Sequence, residues 1–268
     1  MKYKNGEKLH VTVWSEGLNG GWQPLAVETY PDDINACIGA FLAQESDMEV
    51  ELHTLSEPEH GLTQEVIDRT DVLVYWSHMY HQRFEDAVCE RVVNAVLDGM
   101  GLVLLHSAKG CKIAERLLGV FQRNGKYREI GDFERIWTVN PGHPICAGLQ
   151  KEYIDVPHDE MYGEPCGIPN PDELLFISWF EGGEVLRSGA TWQKGSGKVF
   201  YFAPGHEEFP VYYDPEIQKI LKNGVRWACP AGCFPPSGSR ERSSGNTRAW
   251  PSFCALRTIP RARWRASP

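Results

Sequence analysis

The sequence predicts a three-layer α/β fold, in which a parallel sheet is covered by helices on both faces and continued by an antiparallel extension. Over residues 9–118, short apolar runs alternate with helix-like stretches in four strand–helix repeats, the order that builds a parallel sheet with right-handed crossovers. Two of those runs, DVLVYW (71–76) and MGLVLLH (100–106), are almost wholly apolar, as strands buried on both faces require. After Gly119 the pattern changes to strand-like pieces separated by Gly and Pro turns, which supply the extension.

Each element has its own signal. LHVTVW (9–14) is a β-branched run that ends in the turn-like SEGLNGG. Ile34, Cys37, Ile38, Phe41 and Leu42 recur with helical spacing and predict a helix over Asp33–Gln44. MEVELHTL (48–55) alternates with period two, as a strand does. TQEVIDRT is a short helix opened by Thr63 as its cap. Phe84, Val88, Val92, Ala95 and Val96 share one side of a helix over Phe84–Leu97, and Lys109–Leu118 resumes helix after the fourth strand. FERIWTVN, YIDVP, LLFISWF, GEVLRSGATW and KVFYFAP follow as strands, with GSGK (195–198) as a tight reversal. That GSGK lacks the GxxxxGK[ST] spacing of a phosphate loop, and no nucleotide cofactor is expected. A last helix, Pro215–Ala228, begins after the capping candidate Asp214.

Of the 268 residues 42% are apolar and 24% charged, the balance of a soluble globular chain long enough for one ample core. The formal net charge of -9 is unevenly spread. Residues 230–268 hold seven arginines, no lysine and a single acid, Glu241, a net of +6, so residues 1–229 carry -15. That acidity argues against nucleic acid as a partner of the body. The Arg/Pro/Ser-rich tail has no apolar period and reads as disordered or foreign to the fold, which sets the expected boundary between 1–229 and 230–268. No apolar run approaches the ~20 residues of a membrane span. The start MKYKNGEKLH has no signal-peptide core, so a cytoplasmic protein without membrane partners is expected. The eight cysteines form no CxxC pair and read as reduced thiols, most of them small core residues. Oligomeric state is left open, a homo-oligomer included.

In open parallel sheets ligands sit beyond the carboxyl ends of the strands. Four strand ends deliver polar residues there: Ser15 and Glu16; Ser77, His78 and His81; His106 and Ser107; and, late in the chain, His206, Glu207 and Glu208. His106 and His206 are candidates for general acid and base, with Glu207 beside them. His78 and His81, three residues apart, are candidate ligands for a divalent metal such as zinc, with His106, His206, Glu16 or Glu160 as further donors. The strand-to-helix turn GLVLLHSAKG has the geometry of a nucleophile elbow. Ser107 could act there as a nucleophile with an imidazole base, or simply cap the helix. Trp14, Trp22, Trp76, Trp179 and Tyr162 could stack on a sugar face, or pack in the core. His53, His60 and His143 fit structural or exposed positions.

VTVWSE, EPEHGLT, DVLVYWSH, GMGLVLLHSAKG, NPGHPICAGL, EMYGE, FISWFEGGEVLRSG, KVFYFAPGHE and NGVRWA occur in an order that resembles the trehalose utilization (ThuA) family over about residues 8–229. The resemblance implies a flavodoxin-like, class I glutamine amidotransferase-like fold. In that superfamily the elbow holds a cysteine and a late His-Pro-Glu segment supplies the base and its partner. Here His106 and Ser107 occupy the elbow and Gly205, His206 and Glu207 the late segment, so glutamine hydrolysis by a thiolate is not expected. The family link implies a role in using trehalose or a related disaccharide or keto-sugar. On that reading His106 and His206 serve as acid and base, while Trp14, Glu16, Glu160 and Tyr162 bind substrate. Hydrolysis or isomerisation of a keto-sugar is the expected step, and a non-catalytic sugar-binding protein on the same fold is the alternative.

Overall fold

The computed structural model describes residues 8–17, 24–119 and 126–230. Nearly all of the basic extension, together with Trp22, lies outside the described residues. The strands are β1 (Leu9–Ser15), β2 (Met48–Thr54), β3 (Val72–Trp76), β4 (Gly101–Leu105), β5 (Lys126–Thr138), β6 (Tyr153–Gly163), β7 (Glu173–Phe180), β8 (Val185–Lys194) and β9 (Gly197–Phe202). The helices are α1 (Pro24–Thr29), α2 (Ile34–Leu42), α3 (Gln64–Arg69), α4 (Asp86–Asp98), α5 (Lys112–Leu118) and α6 (Pro215–Ala228).

All nine strands form one sheet in the order β2-β1-β3-β4-β9-β8-β7-β5-β6. The first five are parallel neighbours, and their order is that of a flavodoxin-like doubly wound sheet. From β9 onward the pairings are antiparallel. The two cores are the two faces of this sheet, and the period-two geometry of a strand divides its side chains between them. Val72, Val74 and Trp76 point to a core shared with Ile34, Ile38 and Phe41 of α2 and Ile217, Ile220, Leu221 and Val225 of α6. Leu73 and Tyr75 point to the other, with Val66 and Ile67 of α3, Val88, Val92 and Val96 of α4 and Ile113, Ala114 and Leu117 of α5. α6 lies so close to β4 that a Cβ on Gly101 would stand 2.4 Å from the Ala228 carbonyl oxygen.

The expected elements are present with shifted bounds. The stretch after β4 is not helical from Lys109. His106–Gly110 forms a 3-10 turn, and α5 starts only after Cys111, whose Sγ accepts the Ala114 amide at 3.4 Å. β6 runs six residues beyond the expected YIDVP, through Pro157. A proline, lacking an N–H, is tolerated there because β6 is the last strand of the sheet. α1 had no counterpart in the sequence pattern. Among the described residues no helix is long and apolar enough to cross a membrane.

Candidate functional site

β3, β4 and β9 are successive neighbours in the sheet, and the carboxyl end of each delivers a histidine. β4 ends in the elbow the sequence suggested, with His106 at φ 55, a left-handed conformation that costs energy in a non-glycine residue and is typical of functional turns. Its ring stacks on Trp76 at 6.0 Å between centroids, and Nδ1–H donates to the Ala203 carbonyl at 3.3 Å. His78 follows β3, and its Nδ1–H is shared by both Glu207 oxygens at 2.9 Å. His206 follows β9 after Gly205, whose φ of 124 and contact with Tyr212 leave no room for a side chain. Glu160 reaches in from β6, its Oε2 standing 3.2 Å from His106 Nε2 and 3.8 Å from His78 Nε2.

One ligand atom from each of His78, His106, Glu160 and His206 lies within 4.8 Å of the others. His106 Nε2, His206 Nε2 and Glu160 Oε2 are buried and have no hydrogen-bond partner. Buried polar atoms are normally paired, so three orphans aimed at one point fit an ion that would satisfy them together. The hydrogen bonds to Glu207 and Ala203 fix His78 and His106 with their Nε2 lone pairs inward, the arrangement by which carboxylates and carbonyls orient ligating imidazoles. His206 differs, because its Nδ1 accepts the Glu208 amide at 3.1 Å. Its neutral ring therefore carries the proton on Nε2, and ligation there requires that proton to move.

Charges follow burial. Desolvation lowers His106 well below the usual imidazole range and His206 to about 4, so both are neutral at pH 7. Burial opposes the ionised forms of His78 and Glu207 as well, but their mutual hydrogen bond and charge prevail. His78 is raised, and the Glu207 carboxyl is held at about 2. Burial raises Glu160 and Glu16. Glu16 does not enter the cluster. It accepts the Met79 and Tyr80 amides, each at 2.8 Å, and so fixes the loop that carries His78.

A pocket of about 320 Å³ opens beside the cluster, lined among others by His78, His81, Ser107, Lys109, Glu160 and Tyr162. Ser107 Oγ pairs with the Tyr162 hydroxyl, not with an imidazole, so the described structure contains no serine–histidine dyad at the elbow. His81, expected to ligate with His78, stands outside the quartet. Its Nδ1 is 3.1 Å from Ser77 Oγ and 3.8 Å from Glu16, and His106 takes the place expected of it. Trp14 is not available to a sugar. It is 1% exposed, stacked on Tyr75 at 4.3 Å, and donates Nε1–H to the His60 carbonyl. Odd-numbered β1 side chains face the α2 and α6 core and Trp14 faces the other, so neither parity brings this ring to the rim. His53 and His60 are structural, bonded to Glu57 and to the Leu55 carbonyl. Cys111 is buried at the α5 cap, and burial pushes its thiol up to about 12.

Asp159 was not singled out by the sequence. On β6 it accepts the amides of Glu160, Gly205 and His206 at 2.8, 2.8 and 3.0 Å, tying two members of the cluster to one carboxylate. Buried Glu134 of β5 neighbours it, and burial together with the nearness of the two carboxyls raises Glu134 well above the usual range, while burial raises Asp159 to about 7. The sequence signal was the acidic doublet Asp159-Glu160 just ahead of Met161 and Tyr162.

Fold and site together define a flavodoxin-like α/β protein with a histidine-rich centre at the carboxyl ends of its parallel strands. The ThuA family, described as trehalose utilisation, matches residues 10–228. The chain belongs to that family. Among solved structures it is similar to a ThuA-like protein from Parabacteroides merdae ATCC 43184, with TM-score 0.60, 16% identity, and 83% of this chain and 90% of that one covered. A ThuA-like protein from Bacteroides uniformis ATCC 8492 gives TM-score 0.57, 15% identity and coverages of 85% and 94%. The fold also resembles part of a beta-galactosidase from Bacillus circulans sp. alkalophilus, with TM-score 0.51, 11% identity, and 84% of this chain but 32% of that one. No curated protein sequence matches the chain.

Proposed function

We propose that this protein is a carbohydrate-processing enzyme acting on a trehalose-type disaccharide or a keto-sugar derived from one, with a divalent cation at the histidine cluster. The convergence of three imidazoles and one carboxylate, with three orphaned buried atoms, carries this reading. A cation of the zinc class held by His78, His106, Glu160 and His206 would supply Lewis-acid polarisation of a sugar oxygen. The chain's own groups do the rest. Glu207 and the Ala203 carbonyl keep two imidazoles in the ligating tautomer. Glu16 holds the His78 loop. The Ser107 and Tyr162 hydroxyls are placed to exchange hydrogen bonds with sugar hydroxyls in a pocket about the size of one sugar ring. The acid/base roles expected of His106 and His206 give way to ligation, because their inward nitrogens share one point with Glu160.

The test is elemental analysis of the purified protein combined with turnover of trehalose and of 3-keto-trehalose. The expected result is one divalent cation per chain, lost in His106→Ala and Glu160→Ala together with sugar turnover. Absence of cation binding at micromolar concentration and of any change in either sugar would overturn the proposal.

A further inference from the structure

The pocket beside the cluster holds a basic group without a counterpart. Lys109 lies in the 3-10 turn after β4 and is 2% exposed, yet it lines the pocket with His78, Ser107, Glu160 and Tyr162. Among the described residues its Nζ has no carboxylate within ion-pairing distance and no hydrogen-bond acceptor. It sits 3.8 Å from the Tyr162 ring centroid. A buried amine with unused hydrogen-bonding capacity is costly. Keeping one against a pocket wall points to a counterpart brought by the ligand.

The groups facing it are Glu160 and Tyr162 of β6, Cys166 just beyond, His106 and Ser107 of its own turn, His78 and His81 after β3, and Glu129 of β5. Burial lowers the Lys109 amine, while Glu160 and Cys166 pull the other way and lose. The face of Tyr162 stabilises the ammonium once a proton has been taken up. The amine can therefore both accept a proton and hold it.

Resting on the reading of the site as one that processes a keto-sugar, we propose that Lys109 is the catalytic base that removes the proton from the carbon next to the substrate's carbonyl. The C–H bond breaks and its proton joins the lone pair of Nζ, giving the ammonium. The electron pair left on carbon moves to the carbonyl oxygen, giving an enolate. The reverse step returns the proton to carbon and regenerates the amine, so no oxidant or reductant is consumed. The role falls to Lys109 because the imidazoles expected to provide the base converge on one another and on Glu160.

The experiment is proton NMR in deuterium oxide of methyl 3-keto-glucoside with the full chain and saturating zinc, comparing the parent with Lys109→Met and Lys109→Arg. Cation content and thermal unfolding are measured in parallel. Arginine keeps the charge and bulk but has no lone pair to offer at neutral pH, so it reports even where the methionine variant does not fold. The parent should exchange the protons flanking the carbonyl faster than buffer. Both variants should lose at least ~100-fold of that rate with cation content unchanged. Parental exchange in either folded variant overturns the assignment of Lys109 and leaves the keto-sugar reading standing. Exchange by the parent no faster than buffer overturns the keto-sugar reading, and the base with it.

Discussion

Replacing Asp159 by asparagine tests how the site is held. The two carboxylate oxygens serve three main-chain donors: Oδ1 takes the Glu160 and His206 amides, at 2.8 and 3.0 Å, and Oδ2 takes the Gly205 amide at 2.8 Å. At 1% exposure none of these can turn to water instead. Asparagine keeps one acceptor and puts an NH2 group where the other stood. With its oxygen facing two donors it strands the Gly205 amide against a second donor, and in the opposite rotamer it strands two. At ~1–3 kcal/mol per buried group left unpaired, the better rotamer costs about 2 kcal/mol. The turn that presents His206 and the strand position that presents Glu160 also lose their common anchor, and cation affinity should fall roughly 10–100-fold. Urea denaturation reads the first effect and calorimetric zinc titration the second. A stability change within ~0.5 kcal/mol, the range of an ordinary surface substitution, together with unaltered zinc affinity, would refute the anchoring role.

Other outcomes follow from the same geometry. Glu207→Gln leaves His78 an acceptor but no charge, and zinc affinity measured by competition with a chelator should drop about 10–100-fold. In the zinc-free protein the Glu207 carboxyl, at about 2 against an ordinary 4.5, contributes stability that is full above pH 4.5 and is lost as pH falls toward 2. The gap in unfolding free energy between parent and Glu207→Gln should therefore be about 3 kcal/mol at pH 6 and about half that at pH 3. His206 responds to acid in the same direction, over a higher pH range. It is lowered to about 4 from 6.5, so the unfolded chain takes up the proton first as pH falls. Between pH 7 and pH 4 the zinc-free parent should lose about 3 kcal/mol more than His206→Gln, and equal losses would show the imidazole is not desolvated. Gly205→Ala combines a φ of 124 with a Cβ 2.3 Å from the Tyr212 hydroxyl oxygen. It should lower the thermal midpoint by several degrees, a cost of at least ~2 kcal/mol.

The parallel half of the fold was legible because burial on both faces leaves an unmistakable apolar run, as in DVLVYW, and because helical spacing marks α2 and α4. His78, His106 and His206 were legible as rim residues for the same reason, since each follows directly on such a run. What the pattern could not supply was which side chains converge. HxxH spacing favoured His81, but the loop after β3 turns it toward Ser77, and the quartet is completed by His106 from the end of β4. Glu160 and Asp159 were hard to place because Pro157 broke the apparent strand, and only the position of β6 at the sheet edge lets the strand continue past it. Trp14 misled because an aromatic next to a strand end looks exposed until the neighbouring strand is known to stack a tyrosine on it.

The place of β9 has a consequence for how the molecule is made. It is the strand that joins β4 on one side to β8 on the other, although it is the last strand of the described chain. A nascent polypeptide that has emerged only as far as Ser196 therefore holds two separate four-stranded pieces, each ending in a bare apolar edge. Such edges invite pairing with other chains. Insertion of β9 seals both at once, brings His206 and Glu207 to the rim, and is followed by α6 closing over Phe200. Synthesis that stops short should thus yield a client for chaperones and proteases, never a weakened form of the folded protein.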